Sequence, residues 1–335
     1  MERECVTRSD IEGTDAVTAR VVVRWMVAED MHSGTLADLD AARRANGSVW
    51  VDVSETDAET LAVLQGTFDL HPLAVEDCLH FPQRPKIDGY SNNLFLVWVA
   101  AMLDRDRALA SPEIDIFIGA NYLLTLHKDD VPALDAVAAD ACGVLNHGVE
   151  WTLHAILDRS VDAMFPIVDM VAEELDRIED ELLNKVEDGQ LQDLYAVKRV
   201  MLNLHKIIGP ERDVLRAMAR HTEFISAEAY LYLQDVGDHV ARVADAIDTY
   251  RDVAASAMDI YLSAISNRLN VVMKQLTVVA TIFMPLTLIT GIYGMNLTKM
   301  MWPSPDAAWA FPLVMLACVV VVVGMLILFK RRRWW

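Results

Sequence analysis

Cysteine is scarce in this chain of 335 residues, and Cys5, Cys78, Cys142 and Cys318 show neither metal-chelating nor disulfide-framework spacing. They read as free thiols in a reducing compartment. No P-loop, no metal-hydrolase motif and no nucleophile elbow occurs, so nothing in the sequence points to an enzyme. The opening Met-Glu-Arg-Glu-Cys lacks a basic segment followed by an apolar stretch, so no signal peptide is expected. Positive charge is also short: 24 basic residues against 48 acidic ones precede position 276, a formal charge of −24. Such a surface repels nucleic acid and draws cations, which argues against a DNA-binding role.

Charge vanishes altogether from two stretches. Leu276 to Met295 and Ala307 to Phe329 contain no Asp, Glu, Lys or Arg, and each is long enough to cross a hydrocarbon core of about 30 Å. Lysine and arginine collect on the cytoplasmic side of short loops. Arg268 and Lys274 precede the first run and Lys330, Arg331, Arg332 and Arg333 follow the second, whereas the loop between holds only Lys299. A membrane hairpin with both ends in the cytoplasm is the expectation.

Residues 1–150 mix β-rich runs (Val17 to Val27, Ser48 to Val53, Leu94 to Met102, Ile114 to Gly119, Tyr122 to His127) with helical patterns at Asp57 to Gln65 and Pro72 to Leu79. This predicts an α/β cytoplasmic domain. Glycine, proline and strand signal then grow sparse. A helix is expected from Thr152 to Val186, ended by Gly189, and a second up to Arg220 with Gly209-Pro210 as a candidate interruption near its middle, so that 151–225 forms a helical hairpin. A third helix begins near Ser226 and meets no proline until Pro285. Its roughly 68 residues would make a rod of about 100 Å. It divides into a stalk at 226–275 and a first membrane helix at 276–295. An outer loop at 296–306, a second membrane helix at 307–329 and a basic tail at 330–335 complete the chain.

Steps of three and four down the third helix visit Asp259, Ser263, Ser266, Asn270, Met273, Thr277, Ala280, Met284, Thr287 and Gly291. That is one face at a period of 3.5, the period that keeps a seam turned toward a supercoil axis. Two readings stand. Small residues let membrane helices pack closely. Alternatively, several copies of the face line a conduit, with Met284 as an apolar constriction and Asn270, Thr277 and Thr287 as polar rings. Upstream, Asp238, Asp245, Asp252 and Asp259 recur every seven residues, as a solvated face or as an acidic approach to that seam.

The first span ends in Gly291-Ile292-Tyr293-Gly294-Met295-Asn296. Before it stands Ala280-Thr281-Ile282-Phe283-Met284-Pro285-Leu286-Thr287, and after it come a short loop, a second span and Lys330-Arg331-Arg332-Arg333-Trp334-Trp335. The combination resembles the CorA family of magnesium channels, the two-transmembrane Gly-x-Asn family. A looser likeness runs from His71-Pro72-Leu73 through Glu76-Asp77 to Gln83-Arg84-Pro85-Lys86. The resemblance implies a homopentamer in the cell (inner) membrane, with the first membrane helix lining the pore and Gly294, Met295 and Asn296 at its outer mouth. Magnesium sheds water reluctantly, and amide oxygens can accept hydrogen bonds from its water shell. A ring of Asn296 side chains would therefore select the hydrated ion.

The family's cytoplasmic magnesium ligands correspond to Asp77 with Asp259, and to Glu76 with Asp235. Bound Mg2+ would hold a closed ring, and its loss would let the constrictions at Met284 and Leu276 wet. The tail Lys330 to Arg333 reads as a basic ring at lipid phosphates or as a plain stop signal. After the motif the chain departs from the family: Lys299 stands where many members are acidic, and Asp306 is the loop's one acid. Transport of Co2+, Ni2+ or Zn2+ on the same scaffold is the nearest alternative, although no His or Cys lies on the stripe. A membrane-anchored Mg2+ sensor is the alternative of another class.

Overall fold

The structure, a computed structural model, describes residues 20–105, 107–187, 189–295, 309–332 and 334. The expected Asn296, Lys299, Asp306 and Arg333 lie outside them, as do Cys5 and the first part of the Val17 to Val27 run. Two units are resolved, Met1–Leu183 with Asp188–Ala257, and Asn184–Glu187 with Met258–Trp335.

The first unit is built on β1 (Arg20–Val27), β2 (Asp30–Gly34), α1 (Leu39–Arg44), β3 (Val49–Ser54), α2 (Ala58–Phe68), α3 (Pro72–Asp77), β4 (Lys86–Gly89), β5 (Leu94–Val99), the small hairpin β6 (Met102–Leu103) and β7 (Leu109–Ala110), β8 (Glu113–Ile118) and β9 (Tyr122–His127). Seven strands form one sheet in the order β2-β1-β3-β9-β8-β5-β4. Only the β3–β9 pairing is parallel. Strand β5 is Leu-Phe-Leu-Val-Trp-Val with all six residues buried, so both faces of the sheet are covered and the strand reads as a continuous apolar run. On one face Val51, Val53, Phe95, Val97, Phe117 and Leu124 pack with Leu61, Leu64 and Phe68 of α2. Local chemistry sets the helix ends. Asp57 Oδ1 accepts from the amide of Thr60 at 2.7 Å, an N-cap. His71 Nδ1 accepts from the amide of Leu73 at 3.3 Å, with Pro72 in the first turn of α3.

Helices follow: α4 (Pro132–Ala139), α5 (Ala141–Leu145), α6 (Val149–Asp162), α7 (Phe165–Asn184), α8 (Gly189–Met218) and α9 (Ala227–Tyr293). Two expectations need correction. The single helix expected from Thr152 to Val186 is two helices, broken at Ala163 and Met164 just before Pro166. A continuous helix would need the backbone of residue 166 to donate to the Asp162 carbonyl, which proline cannot do, whereas in the first turn of α7 no such donor is needed. In contrast, Gly209 and Pro210 do not interrupt α8, which runs through both. Buried Ile207, Ile208, Val214 and Leu215 on either side hold it by packing, which outweighs local propensity.

Helix α9 is continuous for 67 residues, about 100 Å at 1.5 Å per residue. Within the first unit it buries Leu233, Val236, Val240, Val243, Ile247, Ala254 and Ala257, a seam of period near 3.5. Asp238, Asp245 and Asp252 lie exposed on another side.

The second unit holds the rest of α9 and α10 (Ala310–Arg331). Both helices contain a window long and apolar enough to span a membrane, with none of either window buried in the single chain. Large apolar side chains left bare in this way, such as Phe283, Leu288, Phe311 and Val320, require lipid or other protein around them.

Candidate ion path and cation-binding groups

Every residue of the predicted stripe lies on α9, and Asp259, Ser263, Ser266, Asn270, Met273, Thr277, Ala280, Met284, Thr287 and Gly291 are all exposed in the single chain. Its two threonines share one geometry. Thr277 Oγ1 donates to the carbonyl of Met273 at 2.8 Å, and Thr287 Oγ1 donates to Phe283 at 2.8 Å. The hydroxyl hydrogen is spent on the helix itself, so the outward part of each oxygen is a lone-pair acceptor. An acceptor surface suits the water shell of a cation. Met284 is 73% exposed and Leu276 61%; these are the two residues expected to constrict the path, and their own chain covers neither. Thr277, Ala280 and Met284 also border a crevice of about 380 Å3, with Pro285 on its rim and Met325 of α10 across it. Gly294 and Met295 follow the last turn of α9, where the amide of Gly294 donates to the Thr290 carbonyl at 2.8 Å.

At the other end of the second unit, Lys330 and Arg331 form the last turn of α10. Cations there complement the negative end of the helix dipole. Beyond them Trp334 folds back, its amide donating to the Phe329 carbonyl at 3.0 Å and its ring stacked on Phe329 at 5.6 Å.

The expected cytoplasmic ligands fall in three settings. Asp77 is the last residue of α3, half-buried, and its carboxylate receives Lys86 Nζ at 2.5 Å. Glu76 beside it is exposed, with His80 Nδ1 2.8 Å from its carbonyl. Asp259 is exposed on α9. Asp235, also exposed on α9, stands one turn from His239, with Oδ2 3.8 Å from Nε2.

That last contact leads to a group the sequence reading missed. Asp158 and Asp162 of α6 and His239 of α9 bring one ligand atom each within 4.8 Å of one another. The Nδ1 atom of His239 is buried without a hydrogen-bond partner among the described residues, with Asp162 Oδ1 3.7 Å away. Burial, then the charge of Asp162, pushes the Asp158 carboxyl above its ordinary range, while burial lowers His154 one turn before it. Two carboxylates and an imidazole with an unanswered ring nitrogen fit a divalent cation, and the imidazole favours borderline ions such as Co2+, Ni2+ or Zn2+. The signal was present as His154, Asp158 and Asp162 at four-residue intervals and Asp235 and His239 at the same interval. Neither series resembles a metal motif until the fold packs α6 on α9.

An α/β domain whose last helix runs on as the first of two apolar spans, with cation-binding chemistry along the way, defines a membrane metal-ion transporter. The chain belongs to the CorA-like Mg2+ transporter family, whose model matches residues 45–331. It is 32% identical over 299 residues to the cobalt/magnesium transport protein CorA of Thermotoga maritima, covering 87% of this chain and 85% of that one. It is also 22% identical over 304 residues to the zinc transport protein ZntB of Yersinia enterocolitica, covering 88% and 90% respectively. The complete structure of the CorA magnesium transporter from Methanocaldococcus jannaschii superposes with a TM-score of 0.81 at 24% identity, over 96% of this chain and all of that one. The fold expected from the sequence, an α/β domain with a long helical stalk and a two-helix membrane hairpin, is thereby shown.

Proposed function

We propose that this chain is one subunit of a homopentameric channel for passive influx of hydrated Mg2+, set in the cell's inner membrane with both termini in the cytoplasm. One observation carries the reading: Asn270, Thr277 and Thr287 recur along one face of α9, and no part of its membrane-spanning window is buried in the single chain. Polar groups at membrane depth belong against protein or water. Turned to a shared axis, the five faces form a path whose threonines offer acceptor oxygens, narrowed by Met284 and Leu276. Asn296, together with Gly294 and Met295, selects the hydrated ion at the outer mouth. No coupled chemistry is needed, since a divalent ion gains about 4.6 kcal/mol per 100 mV of inside-negative potential.

Regulation by cytoplasmic Mg2+ belongs to the same reading. Asp77 with Asp259, and Glu76 with Asp235, hold the ion between neighbouring subunits. A bound cation removes the repulsion of paired carboxylates and keeps the ring closed. Lys330, Arg331, Arg332 and Arg333 form a basic ring at the inner phosphates.

Transport of Co2+, Ni2+ or Zn2+ is the second reading, and the imidazole of His239 beside Asp158 and Asp162 favours it. Uptake into liposomes with Mg2+, Co2+, Ni2+ and Zn2+ in competition, repeated with Asn296→Ala, tests both. Loss of Mg2+ uptake in a correctly assembled variant supports the first reading. Uptake untouched by the substitution contradicts the role of the outer ring.

A further inference from the structure

The carboxylate of Asp77 already holds a cation. Lys86 Nζ lies 2.5 Å from Asp77 Oδ2, and both side chains are about one-third exposed. The pairing is built in from both sides. The segment joining α3 to β4 is pinned where Gln83 donates its backbone amide to the buried Glu113 carboxylate at 2.5 Å and its side-chain amide to the Asp77 carbonyl at 2.6 Å. Lys86 opens β4, and its place is set by pairing with Val97 of β5. The ammonium is thus delivered to Asp77 by a fixed strand.

Lys86 also has a second place to go. Its Nζ is 3.9 Å from Asp88 Oδ2 and 5.6 Å from the centroid of the Phe95 ring. A side chain with four rotatable carbons can leave Asp77 for these two without unfolding anything.

We propose that Lys86 is a tethered competitor for the divalent cation at Asp77, and that it sets the cytoplasmic concentration at which that cation binds. The inference rests on the reading of Asp77 as a regulatory ligand. An ammonium neutralises a single carboxylate well. It neutralises two poorly, because its one charge leaves the second carboxylate repelled. A divalent ion wins only when a second carboxylate from a neighbouring subunit comes into reach, so displacement of Lys86 couples ion binding to assembly of the closed ring. Without the lysine, Asp77 would bind its ion at lower concentration.

The test measures the thermal midpoint of the purified full chain against Mg2+ concentration, for the wild type, Lys86→Met, Lys86→Arg and Asp77→Asn. The Lys86→Met variant should reach its half-maximal Mg2+ response at a concentration about three- to fivefold lower, the scale set by a partly exposed ion pair. Lys86→Arg should stay near the wild type. If Lys86 served only as a structural ion pair, Lys86→Met would lower the midpoint without Mg2+ and leave the half-maximal concentration where it was. That result, with Asp77→Asn shifted to higher Mg2+, overturns the competitor and leaves Asp77 as a ligand. An Asp77→Asn response superimposed on the wild type overturns both.

Discussion

Thr277 gives its hydroxyl hydrogen to the carbonyl of Met273, 2.8 Å away and one turn back along α9. The same bond recurs at Thr281, Thr287 and Thr290. A threonine in this state offers its surroundings only an acceptor. Placed on the exposed face of a membrane helix, it repels an anion's lone pairs and receives the hydrogens of a cation's water shell.

The exchange of Thr277 or Thr287 for valine keeps shape and β-branching and deletes the acceptor. Each substitution should lower Mg2+ uptake into liposomes by about tenfold, the worth of one hydrogen bond of ordinary strength. Oligomer size on gel filtration should not change. Thr281→Val lies off the stripe and should cost much less.

The group formed by Asp158, Asp162 and His239 makes a prediction about metal preference. His239→Ala should raise the Co2+ concentration needed for half-maximal thermal stabilisation by at least about tenfold, the lower end of what disturbed metal shells lose. Half-maximal stabilisation by Mg2+, an oxygen-seeking ion, should move less. Equal shifts for both ions would place the imidazole outside the coordination sphere.

The burial of Asp115 predicts that the stability of the α/β unit depends on pH. It is fully buried on β8, and neither carboxylate oxygen has a hydrogen-bond partner among the described residues. Burial first, and the charge of Glu113 second, raise its pKa from 3.8 to about 7. The unfolded chain releases this proton first, so the folded state loses stability as pH climbs from about 4 to 7, and above that the full cost persists without further change with pH. Asp115→Asn should flatten the slope and raise stability at pH 8 by up to about 4 kcal/mol. Denaturant midpoints of the full chain at pH 5, 6.5 and 8 check it. A wild-type slope in the variant would assign the pH response elsewhere.

Much of this was legible in the residues. Strand β9 falls on the expected Tyr122 to His127, a short run rich in leucine with an aromatic and a β-branched residue, and α9 begins one residue from the expected Ser226, because its apolar positions keep a helical period over many turns. The stripe was legible too, since a helix places steps of three and four on one face wherever it is formed. What stayed hidden depends on packing. The break at Ala163 and Met164 and the passage of α8 through Pro210 are set by neighbours. The meeting of Asp162 with His239 joins residues 77 positions apart, and the hold of Lys86 on Asp77 depends on strand register. No local pattern encodes either.

The central claim is that one face of α9 borders water that ions share. With the four native cysteines replaced, single cysteines at Thr277, Thr287 and, on the opposite side, Val279 are tested for block of Mg2+ uptake by Cd2+ and by a membrane-impermeant thiol reagent. Block at Thr277→Cys and Thr287→Cys with none at Val279→Cys is the predicted result. Block at Val279→Cys alone, with the two threonine positions inert, would contradict it.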